Sequence, residues 1–358
     1  MDMPGTARGT AGRRAAVALI VLVVALALVS TARADLSVPP GFTVEVYVTG
    51  QGFESGGDRS SRGFPGVGSL SVDAAGLVYL GRLGARFRQG EADDLAPLYR
   101  IPAGGAKLTP ETESRFFHGP PLPNSVVGAV PGPADLLLTT YDRDRRLGAL
   151  YRMLDGRARL IAGGTPIDGA APMFRQPEGT AVDAEGRLFV ADRERNAVVR
   201  LDRTGRVLDA EYVKVPRPRL LAMDTAGNLW VAADGTAETP LQDGVGQLLR
   251  VTPDGKPTSV LEGPLPAGLA VSPGGRLFVA QRRTGHLFAI SSEGRRLDFG
   301  SGTDGWFLRA VAFVPVTAAT RRAGIAGDLL VAVARRQAWM LTEIYRISGP
   351  FDDFGRAP

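Results

Sequence analysis

The sequence predicts an all-β fold, a six-bladed β-propeller of four-stranded antiparallel blades closed by an N-terminal strand. Three observations carry this prediction. Two short strand motifs recur in phase along the chain, an apolar strand stands unassigned near the N-terminus, and no helix-like apolar period appears after residue 34. Repeats of this kind are typical of radial β architectures, because one small sheet cannot bury both of its faces alone.

The best-formed unit lies between Gln176 and Leu208. Its apolar segments are Thr180–Asp183, Arg187–Ala191 and Ala197–Leu201, and they are joined by a tight turn at Gly186 and by a polar loop. Strands of about five residues separated by Gly, Asp and Asn indicate an antiparallel meander.

The second and third strands of this unit recur six times. Copies of the second strand are Leu77–Leu80, Asp135–Thr140, Arg187–Ala191, Asn228–Ala232, Arg276–Ala280 and Asp328–Ala332. Copies of the third strand begin at Pro97, Ala149, Ala197, Gln247, His286 and Glu343. Five of these copies carry an arginine at the same place, and we expect its stem to pack between blades. These arginines are Arg100, Arg152, Arg200, Arg250 and Arg346.

Each pair of motifs follows a first strand that is rich in small residues, which suits strands crowded around a central axis. The first strands are Gly68–Asp73, Ser125–Val130, Gly179–Asp183, Leu220–Asp224, Gly268–Ser272 and Leu308–Phe313. Five units also have a candidate fourth strand: Ser114–His118, Arg159–Gly164, Asp209–Val213, Thr258–Gly263 and Arg296–Gly300. The sixth unit has none, so we expect Phe42–Thr49 to pair with it and remove the open edge.

The N-terminal residues 1–34 resemble a signal peptide. Arg13 and Arg14 precede an apolar run over residues 15–29, and Ala32-Arg33-Ala34 supplies a cleavage site of the A-x-A kind. We therefore expect a secreted or periplasmic protein whose single domain is 35–358. The alternative is an uncleaved membrane anchor formed by residues 15–29, although this run is shorter than the ~20 residues of a typical span.

The amino-acid composition excludes several kinds of catalytic and metal site. The chain has no cysteine, which excludes disulfides, thiolate nucleophiles and cysteine-bound metals. The net charge is +5, and residues 1–34 contribute +3 (four Arg minus one Asp), which leaves +2 for the rest. Only two histidines are present, His118 and His286, and neither has the neighbours of a Ser-His-Asp triad. No glycine-rich phosphate loop precedes a helix.

The segment Leu160–Asp202 resembles an NHL repeat. The matching features are Ala162-Gly163-Gly164, Pro177, Val182-Asp183, Gly186, Val190-Ala191-Asp192 and Asn196. NHL propellers form a wider group with gluconolactonase-like hydrolases and streptogramin-lyase-like proteins, so the resemblance implies the fold but leaves the function open. RNA binding occurs among NHL propellers, but the predicted export signal argues against a nucleic-acid partner here.

Five of the six loops between second and third strands are basic, and they share one face of a propeller. The loop of the fourth unit departs, with Asp234, Glu238 and Asp243. We predict that this face binds an anionic ligand, because arginine forks suit carboxylate, sulfate and phosphate groups. The alternative is that these arginines are ordinary loop residues. The Trp306 ring could form the base of a sugar-binding site beside them. The predicted ligand-binding residues are Arg82, Arg143, Arg193, Arg195, Arg282, Arg335 and Trp306.

The resemblance to gluconolactonase-like enzymes implies an alternative, a divalent metal such as Ca²⁺ held over the channel that activates water for attack on a lactone or ester. Its candidate ligands here are Asn124, Glu178, Asp192 and Asp234. Asn124 and Glu178 lie in loops that enter first strands and supply two of the three oxygen ligands expected. The third is missing unless Asp192 or Asp234 reaches inwards. We therefore expect a binding or interaction module of the cell envelope, without a firmly implied cofactor, and keep the metal-dependent hydrolase as the alternative.

Overall fold

The computed structural model describes residues 36–83, 95–123, 125–132, 135–142, 146–165, 171–238, 242–263, 265–282, 284–291, 293–302, 305–335 and 338–355. Residues 1–34, which are predicted to be a signal peptide, therefore lie outside the described residues. Within the described ranges, no helix is long and apolar enough to cross a membrane.

Six antiparallel sheets radiate from a ring of first strands. The first strands are β4 (Val67–Val72), β10 (Ser125–Pro131), β14 (Pro177–Val182), β18 (Pro218–Met223), β22 (Pro266–Val271) and β26 (Trp306–Phe313). Each first strand contacts the first strand of the next blade, and β26 returns to β4. The ring is therefore closed, and the predicted six-bladed β-propeller is confirmed.

Four blades take all their main strands from consecutive chain. The second blade adds β11 (Leu136–Asp142), β12 (Leu147–Leu154) and β13 (Arg157–Gly163); the third adds β15 (Leu188–Asp192), β16 (Ala197–Leu201) and β17 (Val207–Lys214). The fourth adds β19 (Leu229–Ala233), β20 (Gly246–Val251) and β21 (Pro257–Gly263); the fifth adds β23 (Leu277–Gln281), β24 (His286–Ile290) and β25 (Arg296–Gly302). The short strand β1 (Leu36–Ser37) extends the fifth blade beyond β25.

The sixth blade closes the ring as predicted. It contains β26, β27 (Leu329–Arg335), β28 (Ala338–Ser348) and the N-terminal strand β2 (Thr43–Gly50), which pairs antiparallel with β28. The strand β8 (Ala106–Leu108) then runs parallel to β2, and β3 (Phe64–Pro65) pairs with β28. A short helix, α1 (Ala318–Arg322), lies between β26 and β27.

The first blade departs from the predicted strand set. It contains β4, β5 (Val78–Arg82) and β7 (Leu98–Ile101), with the small pair β6 (Leu95–Ala96) and β9 (Leu122–Pro123) beside it. The stretch predicted as the outer strand, Ser114–His118, instead lies mostly within a 3-10 turn over Glu113–Phe116, and its strand contact is a single bridge from Phe117 to Tyr99. Glu113 explains the turn, because its carboxylate accepts a 2.5 Å hydrogen bond from the Tyr99 hydroxyl.

Small residues in the first strands permit the close approach at the axis. A Cβ placed on Gly179 would lie 2.9 Å from Cα of Leu220 in the next blade. A Cβ on Gly268 would lie 2.7 Å from the Val311 amide nitrogen. Both distances are shorter than real Cβ contacts allow, so the glycines there answer a packing need.

The recurring Asp-x-x-Gly turn links first and second strands by a common mechanism. In the third blade, Asp183 accepts hydrogen bonds from the amides of Glu185 and Arg187, at 3.1 and 2.8 Å, and Gly186 has a φ of 77°. The fifth blade has Ser272 in place of the aspartate. Asp352 of the C-terminal tail supplies the carboxylate there, accepting from the Ser272 hydroxyl at 2.5 Å.

The C-terminal tail is thus an integral part of the fold. Phe351 and Phe354 join an aromatic cluster with Phe42, which precedes the closing strand, and with Phe278 and Phe299 of the fifth blade. Ring centroids in this cluster lie 4.9–6.5 Å apart, a spacing typical of stabilising aromatic contacts. Both termini of the described chain therefore meet beside the fifth and sixth blades.

Candidate functional site: a buried arginine cluster at the channel mouth

The same β-bulge occurs near the start of every first strand. Pairing with the second strand shifts between Val67/Ser69, Val126/Gly128, Pro177/Thr180, Pro218/Leu220, Pro266/Gly268 and Leu308/Ala310. The residues within these bulges are Gly68, Val127, Glu178 with Gly179, Arg219, Ala267 and Arg309. Bulges are typical of places where a side chain is re-aimed towards a functional site.

Three arginines surround one carboxylate at this level of the propeller. We call Arg193, Arg219, Arg282, Asp234 and Glu178 the mouth cluster. Asp234 is completely buried, and its Oδ2 lies 3.3 Å from both Nε and Nη2 of Arg193. Its Oδ1 lies 3.2 Å from Arg219 Nε and 3.0 Å from Arg282 Nη2.

The arginines of the mouth cluster come from three different blades. Arg193 follows β15, Arg219 lies in the bulge of β18, and Arg282 follows β23. Their side chains are 6%, 14% and 11% exposed, respectively. Guanidinium groups this deeply buried are costly unless they are paired, so Asp234 is the group that holds them together.

Backbone contacts fix the position of Asp234. Its amide donates to the Arg217 carbonyl at 2.9 Å, and its own carbonyl accepts from the Ala237 amide at 3.0 Å. Asn196, in the left-handed conformation with a φ of 58°, accepts at 3.0 Å from the Arg217 amide through its side chain. The asparagine of the NHL pattern therefore supports the loop that carries the cluster.

Carbonyl groups complete the surroundings of the arginines. Arg193 Nη2 donates to the Ala237 carbonyl at 2.9 Å, and Arg219 Nη2 donates to the Pro266 carbonyl. Burial, followed by the neighbouring charge of Arg219, lowers the pKa of Arg282 to about 10. Arg282 is still a cation at neutral pH, so the cluster remains positively charged.

Glu178 is the second acid of the cluster and has a different environment. Its Oε1 accepts a 2.7 Å hydrogen bond from the side-chain amide of Gln176, and the residue is 8% exposed. Burial raises the pKa of the Glu178 carboxyl against the opposing charges of Arg219 and Arg193, and the charge of Asp234 adds to the rise. With both acids ionised, three arginines minus two carboxylates leave a net charge of +1 on the cluster.

The structure brings together only some of the predicted anion-binding residues. Arg193 and Arg282 meet at Asp234, whereas Arg82 is paired with Glu113 at 3.3 Å. Arg195 is paired with Asp192 at 3.3 Å. Arg143 lies outside the described residues. Anion binding by these residues stays a prediction.

Trp306 and Arg335 form a separate group in the sixth blade. Arg335 lies over the Trp306 ring at 5.4 Å and 3.5 Å from Glu343, and the indole packs 5.2 Å from Tyr345. A cavity of about 10 Å³ beside them has room for one water molecule. Trp306 is buried in this packing.

The donor set of the mouth cluster does not suit a divalent cation. Asn124 lies outside the described residues, and Asp192 accepts from the backbone amides of Arg175 and Gln176 at 2.9 and 2.8 Å. Asp234 is surrounded by arginines, and among the described residues no three His, Cys, Asp or Glu side chains gather as a metal site requires. The metal alternative therefore draws no support from these contacts.

Two charged residues of the bulges, Arg219 and Arg309, were not predicted as site residues. They align with Glu178 once the bulges are superposed, and the sequence alone gives no signal for that alignment. Burial lowers the pKa of Arg309 to about 10.

The match to a known repeat family lies in the third blade. Residues 174–201 match the NHL repeat model. The chain carries an NHL repeat. This finding confirms the resemblance seen in Leu160–Asp202, and a search of curated proteins gives no match.

Solved structures resemble the NHL-containing chain in fold. A putative oxidoreductase (glucose dehydrogenase) from Thermus thermophilus has 16% identity and a TM-score of 0.53, covering 86% of this chain and 100% of that chain. A structural genomics protein of unknown function from Bacteroides thetaiotaomicron has 11% identity and a TM-score of 0.54, covering 87% and 76%. A streptogramin B lyase has 11% identity and a TM-score of 0.49, covering 86% and 98%. At these identities the likeness concerns the fold alone.

Proposed function

We propose that this NHL-containing propeller is an exported binding module that takes an anionic ligand at the mouth cluster. The observation that carries the proposal is the convergence of three buried guanidinium groups on the single carboxylate of Asp234. Asp234 and the carbonyls of Ala237 and Pro266 accept from only some of the ten N–H donors that the guanidinium groups of Arg193 and Arg219 carry at five each.

Unused donors support the same proposal. Among the described residues, Nη1 of Arg193 and Nη1 of Arg219 have no hydrogen-bond partner, and neither is an enclosed atom. A ligand oxyanion entering the channel would gain charge-assisted hydrogen bonds in a largely desolvated place, where such bonds are strongest. The predicted export signal suggests that the ligand is found outside the cytoplasm, as a sugar acid, an envelope polymer or an acidic segment of a protein partner.

Isothermal titration of the purified protein with phosphate, sulfate and acetate tests the proposal. We expect saturable binding of at least one anion, and we expect Arg219→Gln to weaken it by at least about 10-fold, because a charge-assisted hydrogen bond is lost. The matched control is Arg206→Gln, whose side chain is 78% exposed and pairs with Asp202 at the surface. Absence of binding for all three anions, or equal affinities in the two variants, would contradict the proposal.

A further inference from the structure

Glu178 has an unusual position within a site that attracts anions. It is a buried acid beside three arginines, yet none of them lies within ion-pair distance of it in the described part of the chain. The one hydrogen bond of its carboxyl group there, through Oε1, comes from the side-chain amide of Gln176 at 2.7 Å. The second oxygen, Oε2, has no protein partner among the described residues and is not an enclosed atom.

The backbone holds Glu178 in place from two sides. Its carbonyl accepts a hydrogen bond from the Thr139 hydroxyl of the second blade. Its neighbour Gly179 lies against the backbone of Arg219 and Leu220 in the fourth blade, where an added Cβ would be 2.7 Å from the Arg219 carbonyl oxygen. The backbone of Glu178 is thus fixed at the bulge of β14 by contacts that do not use Oε2.

The charged groups that face Glu178 come from four elements. Arg219 lies on β18, Arg193 follows β15, and Arg282 and Asp234 follow β23 and β19. The second blade contributes the uncharged hydroxyl of Thr139. A ligand anion bound to the arginines would therefore lie close to a carboxylate, and repulsion between the two must be offset by a hydrogen bond from ligand to Glu178.

We propose that Glu178 sets the specificity of the mouth cluster by accepting a hydrogen bond from an anion that carries an O–H donor on or next to its charged group. The inference rests on the proposed function. Hydrogenphosphate has this property and sulfate does not; glycolate has it and acetate does not. A ligand with an ammonium donor instead is disfavoured, because the cluster already has a net positive charge.

The test compares these two matched pairs by isothermal titration at mildly alkaline pH, which favours the ionised carboxylate. We expect hydrogenphosphate to bind at least about 10-fold more tightly than sulfate, and glycolate more tightly than acetate by a similar factor. In Glu178→Ala both preferences should disappear while sulfate and acetate bind as well as before or better. The relative preference for hydrogenphosphate or glycolate distinguishes a phosphate ligand from a hydroxy acid.

Two controls keep the result interpretable. Glu178→Gln retains the size of the side chain and should also lose the preference, so it serves if Glu178→Ala does not fold. Glu262→Gln changes an exposed carboxylate on β21 and should retain both preferences. Equal binding of donor and non-donor anions by the unmodified protein, a preference for sulfate, or tighter binding of glycine than of glycolate would overturn the inference and leave anion binding intact. Absence of all anion binding would overturn the proposed function itself.

Discussion

Replacement of Asp234 by Asn gives the sharpest test of how the mouth cluster is held together. The change preserves the shape of the side chain and removes its charge, so three guanidinium groups that are 6–14% exposed lose their common counter-ion. Removal of one partner from a buried ion pair costs about 3–5 kcal/mol, and the remaining amide oxygen favours the lower end. We expect a loss of about 3 kcal/mol in the free energy of unfolding.

Urea denaturation followed by circular dichroism measures this loss. The matched control is Asp298→Asn, an aspartate that pairs with Arg296 at 2.8 Å but has a side chain 80% exposed, and it should change the stability little. Phosphate should stabilise Asp234→Asn more than the unmodified protein, because the added anion replaces the missing charge. A loss below about 1 kcal/mol for Asp234→Asn would refute the reasoning, since surface ion pairs behave that way.

Three further predictions concern Glu178, the blade turns and metal binding. Burial raises the pKa of Glu178, so the folded state holds this proton more tightly than the unfolded state, and the free energy of unfolding should fall as the pH rises above the ordinary value of 4.5. Denaturation curves at several pH values should show a flatter fall for Glu178→Gln. A pH profile that is unchanged in this variant would contradict the prediction. Gly186→Ala should lower the free energy of unfolding by about 1 kcal/mol, because φ is 77° at this position. The control Gly104→Ala should lower it less, because Gly104 has open space around it and no positive φ. Equal melting temperatures for the two variants would contradict the turn geometry. Titration with Ca²⁺ or Zn²⁺ should leave the melting temperature unchanged, and a saturable rise abolished by Glu178→Gln would restore the metal-dependent hydrolase.

The fold was largely predictable because most blades repeat the same short sequence features. The Asp-x-x-Gly turn and the apolar second strand are short-range features, and both are visible in the residues themselves. Pairing of β2 with β28 was also predictable, because the sixth unit lacked an outer strand and an unassigned strand preceded the first blade. The absence of the outer strand predicted at Ser114–His118 in the first blade was not predictable. It depends on the hydrogen bond between Glu113 and Tyr99, which are too far apart in the sequence for a local pattern to indicate the contact.

The site was only partly predictable for a related reason. Glu178, Arg193, Arg282 and Asp234 were all recognised, but as members of two separate hypotheses, an anion-binding rim and a metal site. Their convergence depends on the bulges, which place Glu178 and Arg219 at the same level of neighbouring first strands. A bulge has no clear sequence signal, so arginines expected at a solvated rim could not be recognised as buried partners of Asp234.

The measurement that tests anion binding most directly is a crystal structure of the protein soaked in arsenate. Arsenate has the shape and the O–H donor of phosphate, and its arsenic atom can be located by anomalous scattering. We expect an anomalous peak at the mouth cluster, placed so that the oxygens around the arsenic atom lie within hydrogen-bond distance of the Arg219 guanidinium and of Glu178 Oε2. A peak elsewhere, or none at the mouth cluster, would contradict the account.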